Sequence, residues 1–447
     1  MRAAETATAL TEFDQRGGGT DAERRAALWL AREVRSPRRA VYLETFWHRP
    51  NWALAHAWHC LIAVVGGLVM VSHAAVGGAV VLVALISVLA DWLTGRSIGR
   101  RLTRERASQN VVSPAPAATA RTAPAAATAP TAPSGNTAPT APGGTTAPAV
   151  APAPDVRLIV TANYDAGRAG LGHRTPVRSA GAGIKRLAGA GRFTPGWMGW
   201  LVIELLWLLA VAVVRDGGTS GTPIKIALLI PVASLVLEAA LLLDLGSAPF
   251  GPAAGDNAAG TAVAIALVRA LDAAPPRRLG VDLLLQGSGE NGMIGLRRHL
   301  RRRGPERRAA NTVVLGIAAC GGGRPCWWVS DGAMVPLRYL ARLRDLAART
   351  GGPDTPLKAT PHFGRGTGPA LPARTAGIPA LTIGAVDARG LAPRSHQAGD
   401  RAQSLDPAAL DTVLEFALTL VDAIDADLAR AARARDPDRA RAADGGH

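Results

Sequence analysis

Apolar positions in this chain fall into long blocks and short blocks, and the two predict different things. The long blocks cover residues 52–71, 74–90, 197–214 and 226–243. The first two carry no formal charge, the third only Glu204 and the fourth only Glu238. Each is close to the ~18–20 apolar residues that cross a bilayer core as a helix. They pair into two hairpins, across Ser72-His73 and across residues 215–225. Trp52, Trp92, Trp197 and Trp200 stand at block ends, as in an interfacial belt. Four membrane spans are therefore predicted. The alternative, four buried helices of a soluble protein, explains neither the pairing nor the tryptophans. The first block starts about fifty residues into the chain and lacks a cleavage site, so it does not read as a signal peptide.

The short blocks alternate in kind. Residues 21–34 have helical spacing behind an Asp cap, and residues 40–47 are rich in β-formers. Continuous apolar runs at 156–162, 279–285, 312–317 and 379–383 read as buried parallel strands. Helical patterns follow at 261–271, 293–303, 334–348 and 407–428. This order predicts an α/β fold: a mainly parallel mixed sheet with helices on both faces, interrupted by two transmembrane hairpins. Residues 113–154 form an Ala/Pro/Thr tract with one charge, Arg121, and read as a linker. The expected division is 1–50 for an N-terminal helix and strand, 51–95 for the first hairpin and 96–112 for a basic segment and strand. After the 113–154 linker come 155–192, the second hairpin at 193–245, the main part of the domain at 246–428, and a tail at 429–447.

Composition narrows the function classes. The chain has 447 residues, 48% of them hydrophobic, and its three cysteines exclude a disulfide-stapled scaffold or a Cys-rich zinc ribbon. A net charge of +16 fits either nucleic acid or a membrane surface. Placement decides between them. Eleven basic residues flank the near ends of the spans, among them Arg49, Arg96, Arg100 and Arg101, against Arg215 and Lys225 in the far turns. The positive-inside bias then predicts a multi-pass protein of the cell membrane with its soluble domain in the cytoplasm. The arginine-rich run at 296–308 comes without a nucleic-acid-binding motif and reads as a helix end facing anionic lipid. The expected partners are the lipid bilayer and a peptide or protein ligand, not nucleic acid. Glu204 and Glu238 read as carboxyls that hold the second hairpin together, and Cys320 and Cys326 as ordinary thiols.

Chemistry is expected at the carboxyl ends of the strands. Those ends carry Asn163-Tyr164-Asp165 and Gly289-Glu290-Asn291; Gly255-Asp256-Asn257 opens a helix, and Ser395-His396-Gln397 precedes the last one. Two carboxylates and a histidine are candidate ligands for a zinc-like metal. Five pieces occur in a telling order: NYD (163–165), GDNAAG (255–260), GENGMIG (289–295), VLGIA (314–318) and RSHQAGD (394–400), with GIPALTIG (377–384) before the last. As a set they resemble the family-28 zinc metallopeptidases, the co-catalytic di-zinc exopeptidases that include bacterial aminopeptidases and glutamate carboxypeptidase-like proteins. The family's pattern runs H-x-D, D-N-x-x-G, E-E-x-G-[LM]-[LI]-G, L-D-M and Y-H-T.

The resemblance implies unequal fates for the two metals. Asp256 matches the bridging aspartate, and Glu290 and His396 match the ligands that complete the second zinc. The first zinc's histidine and aspartate are replaced by Asn163 and Gly316. The general-base glutamate falls on Gly289, in the register set by Gly292; moving Glu290 to the base position would leave Asn291 as a poor ligand. Asp165 matches the partner that orients the missing histidine, and with Asn163 it is expected beside the metal site. It is also the replacement base considered. Without a base, hydrolysis forfeits ~10²–10⁴ in rate. The implied protein has at most one zinc and a degenerate, non-catalytic peptidase-like domain acting as a binding or scaffold module. The alternatives are a mono-zinc amino- or carboxy-exopeptidase using Asp256, Glu290 and His396, and a function carried by the spans.

Overall fold

The computed structural model describes residues 2–116, 156–187, 195–304 and 311–435. Most of the predicted linker, the end of the arginine-rich run and the end of the predicted tail lie outside the described residues. The chain begins with α1 (Ala3–Thr11), α2 (Asp21–Val34), β1 (Tyr42–His48), α3 (Trp52–Val69), α4 (Ala74–Thr94), α5 (Ile98–Arg101) and β2 (Arg106–Ser113). It continues through β3 (Val156–Asn163), α6 (Thr175–Leu187), α7 (Trp197–Asp216), α8 (Thr222–Ser247), α9 (Ala259–Ala273), β4 (Leu279–Gln286) and α10 (Ile294–Arg302). It ends with β5 (Thr312–Ile317), β6 (Arg324–Asp331), β7 (Leu337–Arg338), α11 (Ala341–Gly351), β8 (Thr360–Phe363), α12 (Leu371–Thr375), β9 (Ala380–Val386) and α13 (Pro407–Arg435).

The nine strands form one mixed sheet in the order β1-β2-β4-β3-β5-β9-β6-β7, with β8 beside β6. Its centre, β4-β3-β5-β9, is parallel; β1 and β2 extend one side antiparallel, and β6 joins β9 antiparallel on the other. The central strands are apolar on both faces because helices cover both, and β4, β5 and β9 are buried along their whole length. β3 and β4 run level, from Val156 opposite Leu279 to Asn163 opposite Gln286. The loops that follow them therefore emerge side by side at one edge of the sheet.

Three local expectations change. Thr20, not Asp21, caps α2: its hydroxyl accepts from the Glu23 backbone at 3.2 Å. The helix expected over 334–348 is confined to α11, because Pro336 has no backbone N–H to continue a helix and the preceding CWWV run goes into β6 instead. α1 buries Ala3, Ala7 and Leu10 in the main core although its sequence carries little periodicity.

Helices α3, α4, α7 and α8 are long and apolar enough to cross a membrane. They pack around their own apolar core, separate from that of the sheet, and expose Leu68, Ile86, Val213, Ile230 and Leu237 outward. Ser234 on α8 donates to Glu204 on α7 at 2.7 Å, and the Cys60 thiol on α3 lies 4.0 Å from Glu238 on α8. Both carboxyls thus tie helices together. The bundle is docked onto the sheet domain by its near ends: the Met198 N–H donates to Ala333 at 3.1 Å, and Asn51 donates to Gly246 at 2.9 Å. A buried chain runs from Arg100 to Asp91 (3.0 Å) to His56 (3.1 Å) at the same level.

Candidate metal centre

Three separate loops converge where the parallel strands end. A π-turn over Ala254–Ala258 opens α9 and presents Asp256; a 3-10 turn over Gly289–Asn291 follows β4 and presents Glu290; the loop after β9 supplies His396. One ligand atom from each lies within 4.8 Å of the others. His396 Nε2 is 3.1 Å from Glu290 Oε2 and 3.4 Å from Asp256 Oδ2.

Neighbours fix each donor. The Ser395 hydroxyl donates to Asp256 at 2.7 Å, and the Asn257 amide donates to Glu290 Oε1 at 2.6 Å and to the Asp165 carbonyl at 2.6 Å. Asp400 accepts the Gly255 and Asp256 N–H groups at 2.8 and 3.2 Å, which holds the π-turn. Five residues around this centre adopt positive φ without being glycine: Ala253 (50°), Ser288 (49°), Met293 (58°), Arg394 (55°) and His396 (59°). Each costs of order ~1 kcal/mol or more, so the surroundings over-determine these loops.

The cluster is electrostatically self-consistent. Burial alone would depress His396, but Glu290 and Asp256 outweigh it and raise the imidazole to about 9. Burial raises Asp256, whereas for Glu290 the adjacent imidazole overcomes burial and lowers it. Two buried carboxylates here require a positive charge, and an imidazolium proton supplies it. A set of two carboxylate oxygens and one imidazole nitrogen is equally the donor set of a divalent zinc site, with one coordination position left open. The residues present fit one metal.

The other half of the expected pair is filled with protein. A Cβ built on Gly289 would lie 2.2 Å from Asn163 Cγ, so the Asn163 side chain occupies the space a base at 289 would need. A Cβ on Gly316 would meet Ala370 N at 2.8 Å and Pro369 Cβ at 3.2 Å. Gln286 pins that covering segment by donating to the Pro369 carbonyl at 2.9 Å. Asn163 Oδ1 is buried with no hydrogen-bond partner among the described residues. Asp165 faces backbone, accepting the Gly289 N–H at 2.8 Å and the Glu290 N–H at 3.1 Å. Burial, reinforced by Glu290 and Glu23, keeps its carboxyl well above the usual range. As a replacement base it is misdirected; it shapes the turn that aims Glu290.

Three further residues escaped the sequence. Arg16 is fully buried and donates to the carbonyls of Tyr164 (2.9 Å), Pro252 (2.7 Å) and Ala253 (2.9 Å), joining two of the site's loops. Burial lowers it to about 10. Glu23 on α2 accepts the Ser288 and Gly19 N–H groups at 2.8 and 2.6 Å and holds the turn before Glu290. His173 stacks on His396 with centroids 4.5 Å apart and borders the same cleft. The only sequence signal for Arg16 was its place before a run of three glycines, and His173 stood alone in the gap between strands.

The comparisons with known proteins bear on this centre. The profile of Peptidase family M28 matches residues 244–421. No curated protein matches the chain. Solved structures similar to it include an aminopeptidase from Aneurinibacillus sp. strain AM-1, 12% identical, covering 94% of this chain and 93% of that one with a TM-score of 0.49. BSAP, a zinc aminopeptidase from Bacillus subtilis, is also 12% identical, covering 94% of each chain with a TM-score of 0.49. The glutaminyl cyclase of Porphyromonas gingivalis is 13% identical, covering 94% of this chain and 96% of that one at a TM-score of 0.48. The segment similar to Peptidase family M28 starts in the last turn of α8 and contains Asp256, Glu290 and His396.

Proposed function

We propose that this is a membrane-anchored protein whose M28 domain holds one zinc at Asp256, Glu290 and His396 and binds a peptide or protein ligand there without hydrolysing it. The reading rests on one observation: the three donors are assembled and braced, while Asn163 over Gly289 and Pro369-Ala370 over Gly316 occupy the places of the base and of the first metal's aspartate. A bound zinc supplies a Lewis acid that attracts a carboxylate or carbonyl oxygen. Asp256 and Glu290 hold it by charge, Ser395 and Asn257 fix their orientation, and the Asn163 side chain leaves no carboxylate to take a proton from water. The four apolar helices anchor the domain in the cell membrane, with the basic near side in the cytoplasm.

Elemental analysis of the detergent-purified chain beside His396→Ala tests this. About one zinc per chain, lost in the variant, is expected, with no turnover of aminoacyl or peptidyl probes by either. Absence of zinc from both would overturn the metal site. A mono-zinc exopeptidase is the second reading, favoured by His173, whose ring stacks on His396 within the cleft. Probe hydrolysis that His173→Ala abolishes while zinc content stays constant would replace the first reading with the second.

A further inference from the structure

The cleft does not end at the carboxylate–histidine cluster. One cavity of about 850 Å³ runs from Asp256, Glu290 and His396 to the near ends of the apolar helices, where Trp52, Trp92 and Trp197 form its wall. The Trp52 and Trp197 rings meet at 5.0 Å. Tryptophans concentrate where hydrocarbon gives way to headgroups, so this end of the cavity lies at headgroup level.

Charge at that end is mostly positive, with arginines outnumbering the carboxylates Asp91 and Glu105. Arg298 and Arg301 on α10 line the wall with Arg96, which follows α4, and Arg101, which ends α5. Three other arginines there are committed, Arg100 to Asp91 at 3.0 Å, Arg49 to Glu105 at 4.0 Å and Arg297 to the Gly292 carbonyl at 3.0 Å. Among the described residues Arg96, Arg101 and Arg301 have no carboxylate partner, and Arg298 reaches only the Trp47 carbonyl, at 3.0 Å. Arg298 is held below the usual arginine range, by burial first and then by Arg301 and Arg96. Unbalanced cations beside exposed apolar helix surface, including Leu93 at the end of α4, match a ligand that is anionic at one end and apolar at the other.

We propose that this end of the cleft binds the headgroup phosphate of an anionic phospholipid, held by Arg96, Arg101, Arg298 and Arg301. The guanidinium forks pair with phosphate oxygens, and the acyl chains lie along the outer face of α4. The site goes beyond the zinc reading and stands without it. A lipid is favoured over a soluble phosphate because the arginines sit among interfacial tryptophans.

The test uses the full chain in nanodiscs of equal phosphatidylcholine and phosphatidylglycerol, transferred to mild detergent, with retained lipid counted by native mass spectrometry and zinc measured on the same samples. Selective retention of phosphatidylglycerol is expected, falling roughly tenfold or more in R298Q/R301Q, as for the loss of two juxtamembrane cations. R302Q is the control, since Arg302 is off the cavity wall and donates to the Thr45 carbonyl at 2.7 Å. If the double variant fails to fold, R301Q against the charge-preserving R301K carries the test, and R301Q should lose clearly more lipid than R301K. Equal retention of both lipids, undiminished retention in the arginine-to-glutamine variants, or equal loss in R302Q would overturn the proposal. Displacement by glycerol phosphate would reassign the site to soluble phosphates and overturn the lipid. Zinc absent with lipid retained would count against the metal reading alone.

Discussion

A glutamate at position 289 has nowhere to go while Asn163 remains, because the first carbon of its side chain would lie 2.2 Å from Asn163 Cγ. Gly289→Glu alone should therefore lower stability by ~1–3 kcal/mol, the usual range for overpacking. Adding Asn163→Ala should recover much of that, with a coupling energy above ~1 kcal/mol in a denaturant-unfolding cycle. Additive losses would show that the two side chains do not compete. The sequence made both replacements visible, since NYD and GENGMIG each lack a residue the family pattern requires. It could not show that one replacement fills the gap left by the other. That relation spans 126 residues and exists only because β3 and β4 run level. Asp256, Glu290 and His396 were legible for the opposite reason: each sits in a short motif with a fixed place in the chain order.

At the scale of elements, hydrophobic period revealed what burial on two faces or an apolar outward face dictates. The four apolar helices and β3, β4, β5 and β9 belong to that class. β6 was hidden because its run includes Arg324 and Pro325 and sits beside a glycine cluster, and its strand character comes from antiparallel pairing with β9. α2 shows how an element can serve the site without containing any of it. Burial pushes Glu23 on this helix up to about 7, only partly offset by the hydrogen bonds it accepts from Gly19, Ser288 and Ser108. A carboxyl raised in the folded state favours folding below its unfolded value near 4.5, and that advantage is lost as pH rises through about 7. Unfolding free energy should thus fall between pH 4.5 and 7, by up to about 3 kcal/mol from this group. Glu23→Gln should flatten that slope, whatever constant offset it adds. An unchanged slope in urea titrations across this window would place the proton elsewhere.

For the whole molecule, orientation is the first quantity to measure. Cys60, Cys320 and Cys326 are all buried, so cysteines introduced at exposed positions report alone. In intact cells a membrane-impermeant maleimide should label Ser220→Cys in the far turn, and should reach Asp354→Cys only after permeabilisation. The reverse pattern would put the sheet domain outside. The interleaving of the two hairpins with the sheet has a further consequence, for the order of events during synthesis. β4 lies between β2 and β3 in the sheet, yet it leaves the ribosome after both of them and after all four apolar helices. Until residue 279 emerges, the earlier strands have no central partner, and by then both apolar hairpins have already been made. Asp256, Glu290 and His396 all follow the last apolar helix. The sheet therefore completes itself only after all four apolar helices have been made, and the three donors come together only once His396 has emerged.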